Sequence, residues 1–408
     1  MKLSKRILTS ALCVLLAVES CACRAGGSPG SETERQNQEE ISGTEEGWTE
    51  EDGTEGTQAE GTVTVTDIIG RQVTVTEPPK RIAAVSGPSY EMAFMLGAKD
   101  RIVMVKSGHT TNYPIALLTN PDLADYLGIA ANPSSSVNIE DYLQNDIDLV
   151  IYYDNETELK KFDNAKIPAA VLTVNTGLLD TLEEAKSQTI DSYIETTTYP
   201  VRTFAVLLQD EKADEKAERW YAYCDKTLRM IYERTGSLTD EQRSSVYWSN
   251  TWGENVLSTY VLKNRWYEIW LAGGKLIGPD GVSGNFPEIT REQLFTWDPE
   301  IILVDNHGGY PELVEQDLYQ NERWASLQAV QNEQIYRIPA GVFFLDKGST
   351  TTLMVLWLST ILQPELFSDI DMVEEIQYYY REFYEYELTE EEARHVLDGW
   401  FDQVEAEE

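Results

Sequence analysis

The stretch VNIEDYLQNDIDLVI at 137–151 returns about 150 residues later as ITREQLFTWDPEIILV at 289–304. In each copy a polar residue and a Glu open a short helix, an Asp follows the Glu, and an apolar run completes the unit. Glu140 matches Glu292, Asp146 matches Asp298, and Ile147–Ile151 matches Pro299–Leu303. A second echo precedes each copy: MLGAKDRIVMV at 95–105 and LAGGKLIG at 271–278, each an apolar helix end, a Gly turn and a short strand. Apolar runs bounded by turn signals and alternating with helical periodicity predict strands and helices in turn. A chain that repeats the same helix-then-strand order is two similar α/β lobes. Two lobes with one cleft between them point to binding before they point to chemistry.

At 408 residues the chain is long enough for a substantial core. Residues 1–23 stand outside it. Lys2, Lys5 and Arg6 make a positive start, Ile7–Val18 is a short apolar run, and Cys21 and Cys23 follow, the order of an export signal. The cysteines at the expected cleavage point resemble a bacterial lipoprotein signal, whose first mature residue is a lipid-modified Cys; Cys21 is the expected site, with Cys23 the alternative. Residues 24–61 are Gly, Ser, Thr, Gln and Glu, with only Arg24 and Arg35 against many acids. Such a segment cannot offset its ordering entropy and is expected to be a disordered acidic tether. Only Cys224 lies in the folded region, so no intramolecular disulfide is expected there. The net charge of −38 argues against DNA, RNA or anionic lipid as partners.

Within the folded region VTVTDIIGRQVTVTEPP reads as a hairpin, RIAAVS at 81–86 as a buried strand, and RIVMVKS, DLVIYYD and AAVLTVN as further strands with helices between. Alternation of this kind favours a mostly parallel sheet. Residues 178–235 carry no strand signal, and a long helix is expected from about 200 to 234, ended by Gly236. From 245 the alternation resumes through SVYWSN, KLIG, EIILVDN and QIYRIPA to a helix TTLMVLWLSTILQPELF. A helical pair closes the chain, with Thr389 and Glu392 fitting a capping box. The expected organisation is a signal at 1–23, a tether at 24–61, an α/β lobe at 62–195, an interlobe helix at 196–236, a second lobe at 237–368 and a helical extension at 369–408.

Residues 62–370 resemble the periplasmic-binding family for iron-siderophores, haem and cobalamin, the substrate-binding subunits of ABC importers. The resemblance rests on TVTDIIGRQVTV, PKRIAAVSGPSYEMAFMLGAKDRIVMV, VNIEDYLQNDIDLVI, WLAGGKLIG, EITREQLFTWDPEIILV and VFFLDKGSTTTLMVLWLSTILQPELF, in that order. It implies two Rossmann-like lobes joined by a long rigid α-helix, a ligand cleft between them, and a small closure on ligand. It also implies that one Glu on each lobe meets the permease, at the positions matched by Glu140 and Glu292. Two negative points at a fixed separation give register on docking; the plainer reading is a Glu that suits a helix start.

In such an architecture the ligand sits where strands end and helices begin. On the first lobe this selects Ser89 and Tyr90, Lys106, His109 and Tyr113, then Tyr153. On the second it selects Trp248, Trp252, Phe286, His307, Phe343, Phe344 and Asp346. Aromatics with a few polar groups suit a partly apolar chelate. Trp248 and Trp252 either stack on a ligand ring or fill space beside the interlobe helix. His109 and His307, two of three histidines, suit metal contact through an unsaturated ferric chelate or haem. Lys106, Arg265 and Lys347 are the candidate basic groups, few for a strongly anionic catecholate.

Three histidines, with His395 remote, do not make a closed zinc site. No GxSxG or HExxH is present, so no hydrolase is expected. Ser86–Ser89 at a helix start keeps an oxyanion such as molybdate open, and cobalamin is a further alternative. The expectation is a non-enzymatic, lipid-anchored, extracytoplasmic substrate-binding protein of an ABC importer, monomeric, without a resident cofactor, with a ferric chelate or haem as its cargo. A surface lipoprotein that captures or senses a ligand without a permease is the rival reading.

Overall fold

The second lobe is built on the same plan as the first, one strand short. The structure, a computed structural model, describes residues 61–107, 113–129, 136–173, 181–250, 256–259, 262–278, 287–305 and 311–399. The readings made at Cys21, Cys23, His109, Trp252, Phe286 and His307, and of the tether to residue 60, lie outside the described residues. Gly61–Glu408 forms one compact unit.

Strands β1 (Val63–Thr66) and β2 (Gln72–Val75) make the expected antiparallel hairpin, Val63 opposite Val75. Its turn is organised by the buried Asp67, whose carboxylate accepts from the Arg71 N–H at 2.8 Å and from the Val171 N–H at 3.2 Å. The first sheet runs in the order β5 (Leu127–Ile129), β4 (Ile102–Lys106), β3 (Ile82–Ala84), β6 (Leu149–Tyr152), β7 (Ala169–Val171), all parallel. The second runs β11 (Ile335–Arg337), β10 (Ile301–Val304), β8 (Ser244–Ser249), β9 (Gly274–Leu276), also parallel. Matching β8 to β3, β9 to β4, β10 to β6 and β11 to β7 superimposes the two orders. Among the described residues only β5, an edge strand the sequence did not signal, lacks a counterpart.

The repeat holds at the level of single residues. Helix Ile139–Gln144 and helix Arg291–Trp297 each lead to an Asp in the left-handed region, Asp146 at φ 50° and Asp298 at φ 39°. Each Asp precedes a strand buried at every position, β6 or β10. In the second echo, Gly97 (φ 77°) and Gly273 (φ 91°) take the turn that a side chain resists.

Strand side chains alternate between layers. Ile82, Ala84, Ile151, Val246, Trp248 and Leu303 enter one core common to both lobes. Ala83, Val85, Val150 and Tyr152 enter an outer layer of the first lobe, and Tyr247, Ile302 and Val304 an outer layer of the second. Both faces of each sheet are therefore covered, which is why β3, β6 and β10 read as continuous apolar runs. Helix Thr351–Leu362, buried through Ser359, lies inside the shared core.

Long helices join the lobes as expected, but they are two rather than one. The helix read from about 200 to 234 is broken at Gln209 (φ 48°), giving Ile190–Leu208 and Glu211–Thr235. Asp210 caps the second helix by accepting from the Lys212 N–H at 3.0 Å and pairs with Arg101, which also donates to the Leu208 carbonyl at 2.9 Å. The two helices double back on each other: Arg229 reaches Asp191 at 2.7 Å, and Arg202 lies 4.9 Å over the Tyr221 ring. Residues on either side of the break are good helix formers, so the signal lay only in a capping Asp and in a distant arginine. The expected capping box of Thr389 and Glu392 is formed at helix Glu390–Leu397.

Candidate functional site

The C-terminal ends of the parallel strands carry the polar and aromatic groups that face between the lobes. From the first lobe come Lys106, the last residue of β4, Ser86 and Gly87 after β3, Tyr153 after β6, and Tyr113 at the start of helix Pro114–Thr119. From the second comes the segment between β11 and helix Thr351–Leu362, with Phe343, Phe344, Asp346 and Lys347. The Phe343 ring lies against Gly87, and the Tyr153 hydroxyl lies beside the same glycine. Tyr113 is 5.4 Å from Phe343 and 5.3 Å from Phe344, centroid to centroid, and the two phenylalanines are 5.1 Å apart. Rings so spaced touch.

Behind this aromatic wall, Arg265 binds the Asp346 carboxylate and donates to Glu268 at 2.8 Å and to the Asp346 carbonyl at 3.2 Å. Its guanidinium sits 4.6 Å over the Trp248 ring. The group is buried, so removing one partner strands a charge and costs about 3–5 kcal/mol. Burial pushes the Glu268 carboxyl above its ordinary range, against the pull of Arg265. Tyr113 is raised by burial, then by the charges of Tyr153 and Asp346. Tyr153 is raised by burial, with Lys347 acting in the opposite direction.

Lys106 is half-buried, and its ammonium is held below the usual lysine range by burial and then by Lys347. Lys347 belongs to the loop of the second lobe, so the charge of one lobe acts on a cation of the other. The Ser86 Oγ and Trp248 Nε1 are buried at the ends of β3 and β8, with no hydrogen-bond partner among the described residues. A buried unpaired donor is costly, and an anionic oxygen is the group that satisfies it.

Of the residues selected from the sequence, the structure brings together Lys106, Tyr113, Tyr153, Phe343, Phe344 and Asp346. Trp248 lies one layer back, under Arg265. Ser89 is buried and donates to the Ser86 carbonyl at 2.6 Å. Tyr90 is drawn into the first lobe, where its hydroxyl accepts from Asn120 Nδ2 at 3.1 Å and its ring stacks on Phe94. A tyrosine in the first turn of a buried helix chooses core or cleft by rotation about the helix axis, which the sequence left open. Glu268 and Glu91 were not singled out; the signal for Glu91 was a lone acid in the apolar helix SYEMAFM. No group of three or more metal-ligating side chains occurs among the described residues.

Glu140 and Glu292 occupy the same place in their two helices and are both exposed, Glu292 with 78% of its side chain accessible. Arg291 lies 3.8 Å from Glu292.

The family described as periplasmic binding protein matches residues 82–342. The molybdate-binding protein MolA of Haemophilus influenzae is 24% identical over 335 residues, 78% of this chain and 90% of that protein. A periplasmic solute binding protein from Veillonella parvula shares the fold with a TM-score of 0.65 at 24% identity, covering 83% of this chain and 97% of that one. The molybdate-bound MolA structure gives 0.66 at 21% identity, over 80% and 99% of the two chains. Helicobacter pylori Ceue with Ni(II) bound gives 0.61 at 18% identity, over 82% and 99%.

Proposed function

The chain belongs to the periplasmic binding protein family, the extracytoplasmic solute-binding components of ABC transporters, and on that premise we propose that its cargo is a small oxyanion of the molybdate class, held between the lobes and passed to a permease that docks on Glu140 and Glu292. As a member of that family the chain binds and does not catalyse.

The observation that carries the cargo reading is a half-buried cation, Lys106, at the C-terminal end of β4 beside the contacts between Tyr113 of the first lobe and Phe343 and Phe344 of the second. A half-buried ammonium is held in its charged form at a cost, and an anion bound beside it offsets that cost. The Ser86 Oγ, buried after β3 and without a hydrogen-bond partner among the described residues, adds a donor suited to an oxyanion. The molybdate binding of MolA, a relative along most of both chains, supports the same chemistry.

The ferric chelate or haem expected from the sequence is the second reading, favoured by the aromatic wall of Tyr113, Tyr153, Phe343 and Phe344. A planar macrocycle must first separate rings that are in contact, whereas a tetrahedral anion need only reach Lys106.

Titration of the full-length chain with molybdate, sulfate, haem and a ferric hydroxamate, followed by fluorescence of its ten tryptophans, tests the proposal. Saturable molybdate quenching, weakened about tenfold or more by Lys106→Ala and by added salt, is the expected result. Quenching by the iron compounds alone moves the cargo to the second reading, and molybdate binding indifferent to Lys106→Ala removes Lys106 from the site.

A further inference from the structure

The segment from 372 to 397 is folded against the back of the cleft loop. Helix Met372–Tyr379 runs into a π-helical turn, Tyr380–Tyr384, and helix Glu390–Leu397 follows. Turns of this wider kind are rare and concentrate at functional sites. At one end of the loop, the Ala340 N–H donates to the Val396 carbonyl at 3.0 Å and the Val342 N–H to the Tyr380 hydroxyl at 3.1 Å. Gly341 is pressed so closely on that hydroxyl that a Cβ has no room. At the other end, the Tyr379 hydroxyl donates to the Ser349 carbonyl at 2.9 Å, and Trp220 Nε1 donates to the same carbonyl at 3.0 Å. Phe343, Phe344, Asp346 and Lys347 lie between these two clamps.

A third contact crosses to the other lobe. Glu91, in helix Ser89–Met95 of the first lobe, is fully buried. Its carboxylate accepts from the Ser349 N–H at 2.9 Å, from Ser349 Oγ and from the Tyr384 hydroxyl. Tyr384 also packs 5.2 Å from Phe94, and Gly348 (φ +73°) is closed against Glu91 and Pro88. First lobe, cleft loop and C-terminal extension therefore meet at one carboxyl group.

We propose that the C-terminal extension is a working part of the cargo site: Tyr379 and Tyr380 position the loop that carries Phe343 to Lys347, and Tyr384 with Glu91 fastens that loop to the first lobe. The assignment rests on the cargo lying against this loop, as proposed above. These are positioning residues, acting through the loop rather than on the cargo.

A consequence in pH follows from the same geometry. Burial pushes the Glu91 carboxyl up to about 7, against the donors Ser349 and Tyr384. The titratable groups that face it are Tyr379, Tyr380 and Tyr384 from the extension, with Cys224 of helix Glu211–Thr235 behind Tyr379; burial raises all of them, so none titrates near neutrality. When the contact opens, water reaches Glu91 and it ionises near its ordinary 4.5. Opening therefore becomes easier as pH rises from 4.5 to about 7 and levels off above it.

Hydrogen exchange of the full-length chain without cargo reads the contact directly. Tyr380→Phe and Tyr384→Phe are expected to lower protection across 340–350 about tenfold, with peptides of β3 and β8 unchanged. Wild-type protection across 340–350 is expected to fall about tenfold between pH 6 and pH 8, and to stay flat in Glu91→Gln. Protection unchanged in the loop, lost evenly over both sheets, or equally pH-dependent in Glu91→Gln overturns the proposal. If a tyrosine variant does not fold, Ser349→Ala and Glu91→Gln read the same contact. Molybdate affinity of the same variants is expected to drop with loop protection. Failure of the wild type to bind molybdate counts against the oxyanion cargo alone, and the exchange result still decides the role of the extension.

Discussion

Glu91 shows how one residue can join chemistry and folding. Its folded-state carboxyl is raised by burial, so the native chain keeps a proton that the unfolded chain releases. In the window from 4.5 to about 7 the folded state binds more protons, and stability falls as pH rises. At about 1.4 kcal/mol per unit, this amounts to about 3 kcal/mol across the window. Glu91→Gln removes the proton exchange, so urea titrations at pH 5 and pH 7.5 are expected to differ by about 2.4 kcal/mol less in the variant; an identical difference would show that Glu91 is not the group responsible. The lone acid in SYEMAFM was visible in the sequence, but its partners were not, because Ser349 and Tyr384 lie 258 and 293 residues away. Tyr90 is the converse case: its position at the helix start after β3 was legible, and its rotation into the core against Asn120 was not.

At the scale of elements, the two short helices that open with Glu140 and Glu292 are the most legible part of the chain. Their strand partners, their left-handed Asp146 and Asp298 and the exposure of both glutamates agree with the repeat read from the sequence. Charge reversal there tests docking: Glu140→Arg and Glu292→Arg are each expected to reduce cellular uptake about tenfold or more while leaving molybdate affinity of the purified chain within about twofold. Lost affinity would place these residues at the cargo instead, and unchanged uptake would favour capture without a permease. The helical hairpin 190–235 is the element the sequence reading joined into one. Helix propensity runs almost unbroken across Gln209 and Asp210, and what stops the first helix is a cap together with Arg101, a tertiary partner from the first lobe.

On the scale of the whole molecule, the two lobes share one inner core to which the helical hairpin, helix Thr351–Leu362 and the C-terminal extension all contribute. No helix among the described residues is long and apolar enough to cross a membrane, and the proposed attachment is a lipid on Cys21, with Cys23 the alternative. Cys21→Ser is expected to release the chain from the membrane fraction on gentle lysis, with Cys23→Ser leaving it there; the reverse pattern moves the anchor to Cys23, and no release by either removes it. The sequence by itself determined the two α/β lobes, the parallel strands, the matched glutamates and the capping box at Thr389, since hydrophobic period, turn residues and caps act over a few neighbouring positions. The break in the long helix, the packing of Tyr113 on Phe343 and Phe344 and the meeting of Glu91, Ser349 and Tyr384 were decided only by tertiary structure. Each is a contact between segments far apart in the chain, and its energy depends on burial that no local pattern encodes.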